Sequence, residues 1–296
     1  MILLYLGSEI RRSNPWRNHY NAVTAVRDVR LVDFEKEQPS LDGEIVINIG
    51  NHLYYPEKDL LADRLRGCEY LIYINDDYTG SLPTQMRRAI ANKPNWLISH
   101  VKDVVAKRGH LLSWSWVSKY VYAPMNYASW KPLAPRPFQR KGLLYYGSAR
   151  PGRMHIIGKY LCTQLYETWL SCSPRARKKF AEEGILCKEV DKLTIPDELQ
   201  NYQASLYIED EAHYAWDPGN RFFECLSAGI AIIFAKETLA SIQRNGYRVD
   251  DYVASCDEDV ARLLLRSEEI RHEQRRLWAR DYLAELYQRL DEVLPK

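Results

Sequence analysis

Arg221 and Glu224 stand three residues apart in DPGNRFFECLSAGIAIIF, the stretch from Asp217 to Phe234. On a helix that spacing puts both on one face. A guanidinium there can hold an anion with its fork of N–H donors. A carboxylate has two acceptor oxygens and can take both hydroxyls of a ribose. The plain alternative is an exposed ion pair, worth under ~1 kcal/mol, which would be expected among polar neighbours. The neighbours are Phe222, Phe223, Cys225 and Leu226, which favours a grip on a ligand. Asn220, a further donor-binding candidate, immediately precedes this helix, read over 221–228, and Gly229 ends it. Just upstream, Glu209, Asp210 and Glu211 close a strand read over 202–208.

A second constellation is LLYYGSARPGR, 143–153, a strand running through a glycine turn into a helix. Helix N-termini carry unpaired N–H groups and the positive end of the dipole, so they favour phosphate. Gly147 and Ser148 allow close backbone approach, and Arg150 or Arg153 could clamp a diphosphate. An ordinary turn with solvated arginines is the competing reading. No Gly-Lys-Ser/Thr follows, and the dinucleotide pattern Gly-x-Gly-x-x-Gly is absent. A third is YLIYINDDYTGSLPTQ, 70–85, which delivers Asp76 and Asp77 from an apolar strand into a loop. Adjacent carboxylates raise one another's pKa, and one could act as a base; a capping cluster is the alternative. The fourth is the basic, aromatic loop 8–20 with Arg11, Arg12, Trp16, Arg17 and His19, where His19 is a second candidate base.

The elements that must carry these residues alternate. Strands are expected at 2–6, 29–34, 44–49, 69–74, 96–99 and within 114–123, with helices at 59–66, 84–91 and 102–108. The segment KPLAPRPFQRKG, 131–142, holds three prolines and reads as a linker. The pattern then restarts: strands at 143–146, 164–170, 186–189, 202–208 and 230–234, helices at 153–162, 174–183, 221–228 and 236–245. Residues 257–294 read as one long or broken charged helix with a solvated face. Strands alternating with helices imply parallel sheets covered on both faces. The expected architecture is α/β, with two Rossmann-like domains facing a cleft. These would be an acceptor-binding domain over 1–135, a nucleotide-sugar domain over 136–256 and a C-terminal helical segment over 257–296. Ligands in such sheets sit at the carboxyl ends of the strands.

The chain has 296 residues, 46% hydrophobic and 27% charged, the balance of a globular protein. No apolar run approaches the ~18–20 residues of a membrane span, and the N-terminus lacks the charge order of a secretory signal, so a cytoplasmic monomer without membrane contact is expected. The six cysteines are scattered, with no Cys-x-x-Cys pair and no His pair at metal spacing. The net charge of +2 does not announce nucleic acid, while 21 Tyr and 8 Trp leave room for an aromatic-lined basic groove.

Taken together, the phosphate loop at 143–153 and the Asn-Arg-aromatic-aromatic-Glu-x-Leu-x-x-Gly stretch at 220–229 resemble the GT-B glycosyltransferases. The resemblance implies a donor domain in the second half, Glu224 on ribose, and Arg150, Arg153 and Arg221 toward phosphate. Trp216 stands eight residues before Glu224, where many retaining members carry another Glu, so a retaining mechanism is not implied. YYGSARPGR, SLYIEDEAHYAWDPGNRFFE and INDDYT together are similar to glycosyltransferases of tailed bacteriophages, some of which glycosylate hydroxymethylated DNA bases. The implied co-substrate is a UDP-sugar, with no cofactor and no metal. The implied acceptor is DNA held partly by Arg11, Arg12, Trp16 and Arg17, in a phage-infected bacterium. Rival expectations are a saccharide or lipid-linked acceptor, a hydrolysing sugar-nucleotide epimerase, or a non-catalytic nucleotide-binding protein.

Overall fold

A computed structural model describes residues 1–5, 14–33, 36–49, 63–74, 94–99, 118–134, 141–147, 151–185, 187–190, 193, 196–208 and 218–296. Two parallel six-stranded sheets organise the chain. The first contains β1 (Ile2–Tyr5), β2 (Arg30–Asp33), β3 (Ile45–Ile49), β4 (Tyr70–Ile74), β5 (Asn95–Ser99) and β6 (Lys119–Tyr122), in the order β2-β1-β3-β4-β5-β6. The second contains β7 (Lys141–Tyr146), β8 (Thr168–Ser171), β9 (Lys188–Val190), β10 (Tyr202–Tyr207), β11 (Ala231–Ala235) and β12 (Val253–Ala254), in the order β12-β11-β10-β7-β8-β9. Runs such as IVINI, YLIYI and AIIFA are nearly continuously apolar, with Asn48 the exception, because a parallel sheet buries both faces; every residue of β11 is buried.

The helices are α1 (Asn14–Val26), α2 (Pro151–Leu161), α3 (Pro174–Glu182), α4 (Asn220–Ala228), α5 (Leu239–Arg244), α6 (Asp257–Leu265), α7 (Ser267–Trp278) and α8 (Tyr282–Val293). The expected helices at 84–91 and 102–108 lie outside the described residues, as does most of 59–66. The strand expected at 164–170 begins only at Thr168, because Leu165 sits in an exposed turn.

Contacts divide the chain into one unit of Met1–Ala128 plus Tyr282–Lys296 and another of Ser129–Asp281. This differs from the expected 1–135, 136–256 and 257–296 at two places. First, the start of the proline-rich segment is fastened to the second unit. Lys131 N–H donates to Ser227 Oγ at 2.8 Å, Leu133 N–H to the Ser227 carbonyl at 3.1 Å, and Gln200 Nε2 to the Ala134 carbonyl at 3.0 Å. Second, the C-terminal segment is divided between the units. It breaks after Leu265 and after Trp278 into α6, α7 and α8, and each of these buries an apolar stripe instead of standing as a solvated helix. The Arg/Glu alternation forms i,i+3 pairs on the outer face, as between Arg266 and Glu269 at 2.9 Å.

Arg27, just past α1, holds α8 to the first unit. Its Nε donates to the Pro295 carbonyl at 2.7 Å, and its Nη2 to the carbonyls of Leu294 at 2.9 Å and Asp291 at 2.5 Å. A guanidinium at a helix C-terminus satisfies carbonyls that lack intrahelical partners and meets the negative end of the dipole.

Candidate functional site

The second sheet runs outward from β7 through β8 to β9, then returns to β10 and runs outward through β11 to β12. The order reverses between β7 and β10. In an open α/β sheet the ligand crevice lies outside the carboxyl ends of the strands at that switch point. Tyr146 ends β7, Tyr207 ends β10, and both chains continue there into Gly147 and Ile208.

Arg221 joins these two strand ends. Its Nη1 donates to the Tyr146 carbonyl at 3.2 Å and its Nη2 to the Ile208 carbonyl at 2.8 Å. Its Cζ stands 5.6 Å from the Tyr145 ring centroid and 5.8 Å from that of Tyr207, within cation–π range. Gly147 packs against it. The residue has φ +149°, and a Cβ there would meet Arg221 Nη1 at 3.2 Å. A side chain at 147 would therefore meet both backbone strain and the guanidinium.

The sequence makes α4 start where it does. Gly219 lies in extended backbone as N-cap, and its N–H donates to the Tyr207 hydroxyl at 2.8 Å. Gly229, left-handed at φ 63°, ends the helix. Phe222, Phe223, Cys225 and Leu226 are buried, and this leaves Arg221 and Glu224 together on the half-buried face. Asn220 Oδ1 accepts from Ser129 Oγ at 2.9 Å. Glu224 Oε2 accepts from the Tyr146 hydroxyl at 2.9 Å. Burial pushes the Glu224 carboxyl above its usual range, while the Tyr146 bond and the Arg221 charge oppose that shift. The two helix residues thus address different partners.

Arg153 lies in the first turn of α2, which follows β7, and is 5% exposed. Ser148, Arg150 and Glu209 lie outside the described residues. So do Asp76 and Asp77, Arg11 and Arg12, and the side chain of Trp16. Arg17 is exposed on α1. His19 is not a surface base: α1 buries it completely, and burial lowers its pKa to about 4, against a backbone hydrogen bond to Met125. An imidazole in that setting is neutral and packed as part of a core. Its neighbour Tyr20 reaches the carboxyl end of β3, with its hydroxyl donating to the Ile49 carbonyl at 3.5 Å.

Two contributors escaped the sequence reading. Tyr146 and Tyr207 end the strands on either side of the switch point, and their hydroxyls fix Glu224 and Gly219. A tyrosine closing an apolar strand just before a glycine turn is the signal that could have found Tyr146. All six cysteines are free thiols. Among the described residues no three His, Cys, Asp or Glu side chains cluster to hold a metal, and no helix is long and apolar enough to cross a membrane. A groove of about 680 Å³, lined by Gly142, Tyr166, Gln203, Leu264 and Leu265 among others, lies at the opposite, amino-terminal end of the second sheet.

No family model matches the sequence, and no curated protein matches it at a significant level. Solved structures match it in fold. The DNA modifying enzyme β-glucosyltransferase, determined with and without uridine diphosphoglucose, superposes with a TM-score of 0.70 at 12% identity, covering 99% of this chain and 94% of that one. T4 phage BGT in complex with UDP and Mn2+ gives a TM-score of 0.71 at 11% identity, over 99% and 97% of the two chains. T4 phage β-glucosyltransferase in a further structure gives 0.67 at 13%, over 99% and 95%. The chain has the GT-B fold, that of a class of glycosyltransferases. The likeness runs over its whole length and, at these identities, is one of fold.

Proposed function

We propose that this protein is a glycosyltransferase that moves a sugar from a UDP-sugar to a hydroxyl, and that the acceptor is a hydroxymethylated pyrimidine in phage DNA. The observation that carries the donor half is the Arg221–Glu224 face at the switch point of the second sheet, beside Gly147. A carboxylate there suits the ribose hydroxyls, and a guanidinium there suits the diphosphate. The fold likeness to an enzyme determined with uridine diphosphoglucose supports the same reading.

In this reading Arg221, with Arg150 and Arg153, neutralises charge on the leaving diphosphate, and the N-terminus of α2 adds its dipole. Asp76 or Asp77 takes the proton from the acceptor hydroxyl. A base in duplex DNA would have to leave the stack to be reached, and Arg11, Arg12 and Arg17 would contact its backbone. The nucleotide sugar is the co-substrate, with no resident metal assigned.

Calorimetric titration with UDP, and with GDP for comparison, tests the donor half; no binding of either nucleotide sinks it. Mass spectrometry of hydroxymethylated DNA incubated with the protein and a panel of nucleotide sugars tests the acceptor half. An added sugar mass is expected. Transfer to a saccharide with none to DNA would reassign the acceptor and leave the donor site standing.

A further inference from the structure

One residue touches both candidate ligand-binding side chains of α4. The Tyr146 carbonyl accepts from Arg221 Nη1 at 3.2 Å, while its hydroxyl donates to Glu224 Oε2 at 2.9 Å. The same hydroxyl lies 3.3 Å from the Arg221 carbonyl and 3.5 Å from Cys225 Sγ. Tyr146 is the last residue of β7, so the strand that leads into the Gly147 turn also fixes the helix across the switch point.

We propose that Tyr146 is a positioning residue for Glu224, and that its hydroxyl makes the carboxylate a selective receptor for a ribose diol over a deoxyribose. The inference rests on the donor-site reading above and adds the residue that orients its carboxylate. The terminal torsion of a glutamate is broad and two-fold, so an unsupported carboxylate samples many planes. Two neighbouring hydroxyls need two acceptor lone pairs held in one plane. The Tyr146 bond occupies one lone pair of Oε2 and leaves the other, with both of Oε1, in a fixed orientation.

The bond also bears on charge. Among the described residues, the titratable groups facing Glu224 are Tyr146 from β7, and Arg221 and Cys225 from α4. Burial drives the Tyr146 hydroxyl well up and the Cys225 thiol up to about 11, so neither is an anion near neutrality. Burial also favours the protonated form of Glu224. Donation from Tyr146 favours the anion, which is the form able to accept from two hydroxyls.

Tyr146→Phe removes one oxygen and keeps the ring. Two measurements test the proposal on the full chain. The first is calorimetric affinity for UDP and for 2′,3′-dideoxy-UDP. The wild type is expected to prefer UDP by about tenfold or more. The variant should lose most of that preference while binding the dideoxy nucleotide as the wild type does. A preference that survives, or an equal loss for both nucleotides, overturns the proposal in favour of a structural role. The second is NMR titration of 13C-labelled glutamate, with Glu224→Gln identifying the signal. The Glu224 midpoint should move to higher pH in Tyr146→Phe, and an unmoved midpoint overturns the proposal whatever the nucleotide does. If the wild type binds neither nucleotide, the donor-site reading fails on its own, and the NMR shift still decides whether Tyr146 governs Glu224.

Discussion

Glu224 shows the conflict between a proposed binding group and its setting. Its pKa is raised by burial, so the folded state disfavours the ionised form. A carboxyl with a folded pKa above its unfolded one weakens the fold as pH rises from the ordinary carboxylate range past the raised value. Glu224→Gln removes that penalty and keeps an oxygen for the Tyr146 proton. It should melt at a higher temperature than the wild type at pH 7.5. It should also bind UDP roughly ten- to a hundredfold more weakly, the loss of hydrogen bonds to a charged group. Thermal melts and calorimetry on one preparation check both. His19 has the opposite sign. Its folded pKa of about 4 lies below the ordinary imidazole value of 6.5, so its contribution is full above 6.5 and is lost as pH falls toward 4. The loss is on the order of 3 kcal/mol. Denaturant unfolding at a series of pH values should show that slope, flattened in His19→Leu. At this scale the shared face of Arg221 and Glu224 on one helix was legible from their spacing. The partners of Arg221 were not, because Tyr146 lies 75 residues away and its acceptor is a backbone oxygen, which sequence does not distinguish.

Among the elements, strands were the easiest to read. The runs inside EIVINI, EYLIYI and GIAIIF are nearly continuously apolar, with Asn48 a buried polar exception, and burial on both faces favours such runs. What joins them was less visible. β12 is two residues long and pairs only with Phe234 and Ala235, so the middle of β11 needs another partner on that side. Gln274 of α7 supplies it: Ile232 N–H donates to its Oε1 at 2.8 Å, and its Nε2 donates to the Ile232 carbonyl at 2.7 Å. One amide thus stands in for a strand. In a segment of alternating Arg and Glu, nothing about Gln274 marks it as 1% exposed. Gln274→Leu orphans two buried backbone groups at ~1–3 kcal/mol each. A fall in unfolding free energy of several kcal/mol, read by urea titration, is the expected outcome; a change under ~1 kcal/mol would mean that water replaces the amide.

For the molecule as a whole, the two-sheet plan was readable because each half restarts with a βα unit. The path of the chain between units was not. A proline-rich stretch looks like a boundary wherever it falls, whereas the boundary found lies between Ala128 and Ser129, and α8 belongs with the first unit. That attachment is long-range, made by Arg27 to carbonyls some 264–268 residues later. Arg27→Ala should speed amide hydrogen exchange across Tyr282–Val293 by at least about tenfold, with exchange in β10 and β11 unchanged. Equal acceleration in both units would mean that the two unfold together.

The return of α8 also orders events during synthesis. A ribosome releases the chain from the N-terminus, and domains generally fold as units as they emerge. The second unit, one continuous stretch from Ser129 to Asp281, is complete while α1 still lacks the helix that covers it. Of these two units, the one begun first is therefore finished second. Removal of residues 282–296 would injure the unit built mainly from Met1–Ala128 and spare the one that directly precedes the cut.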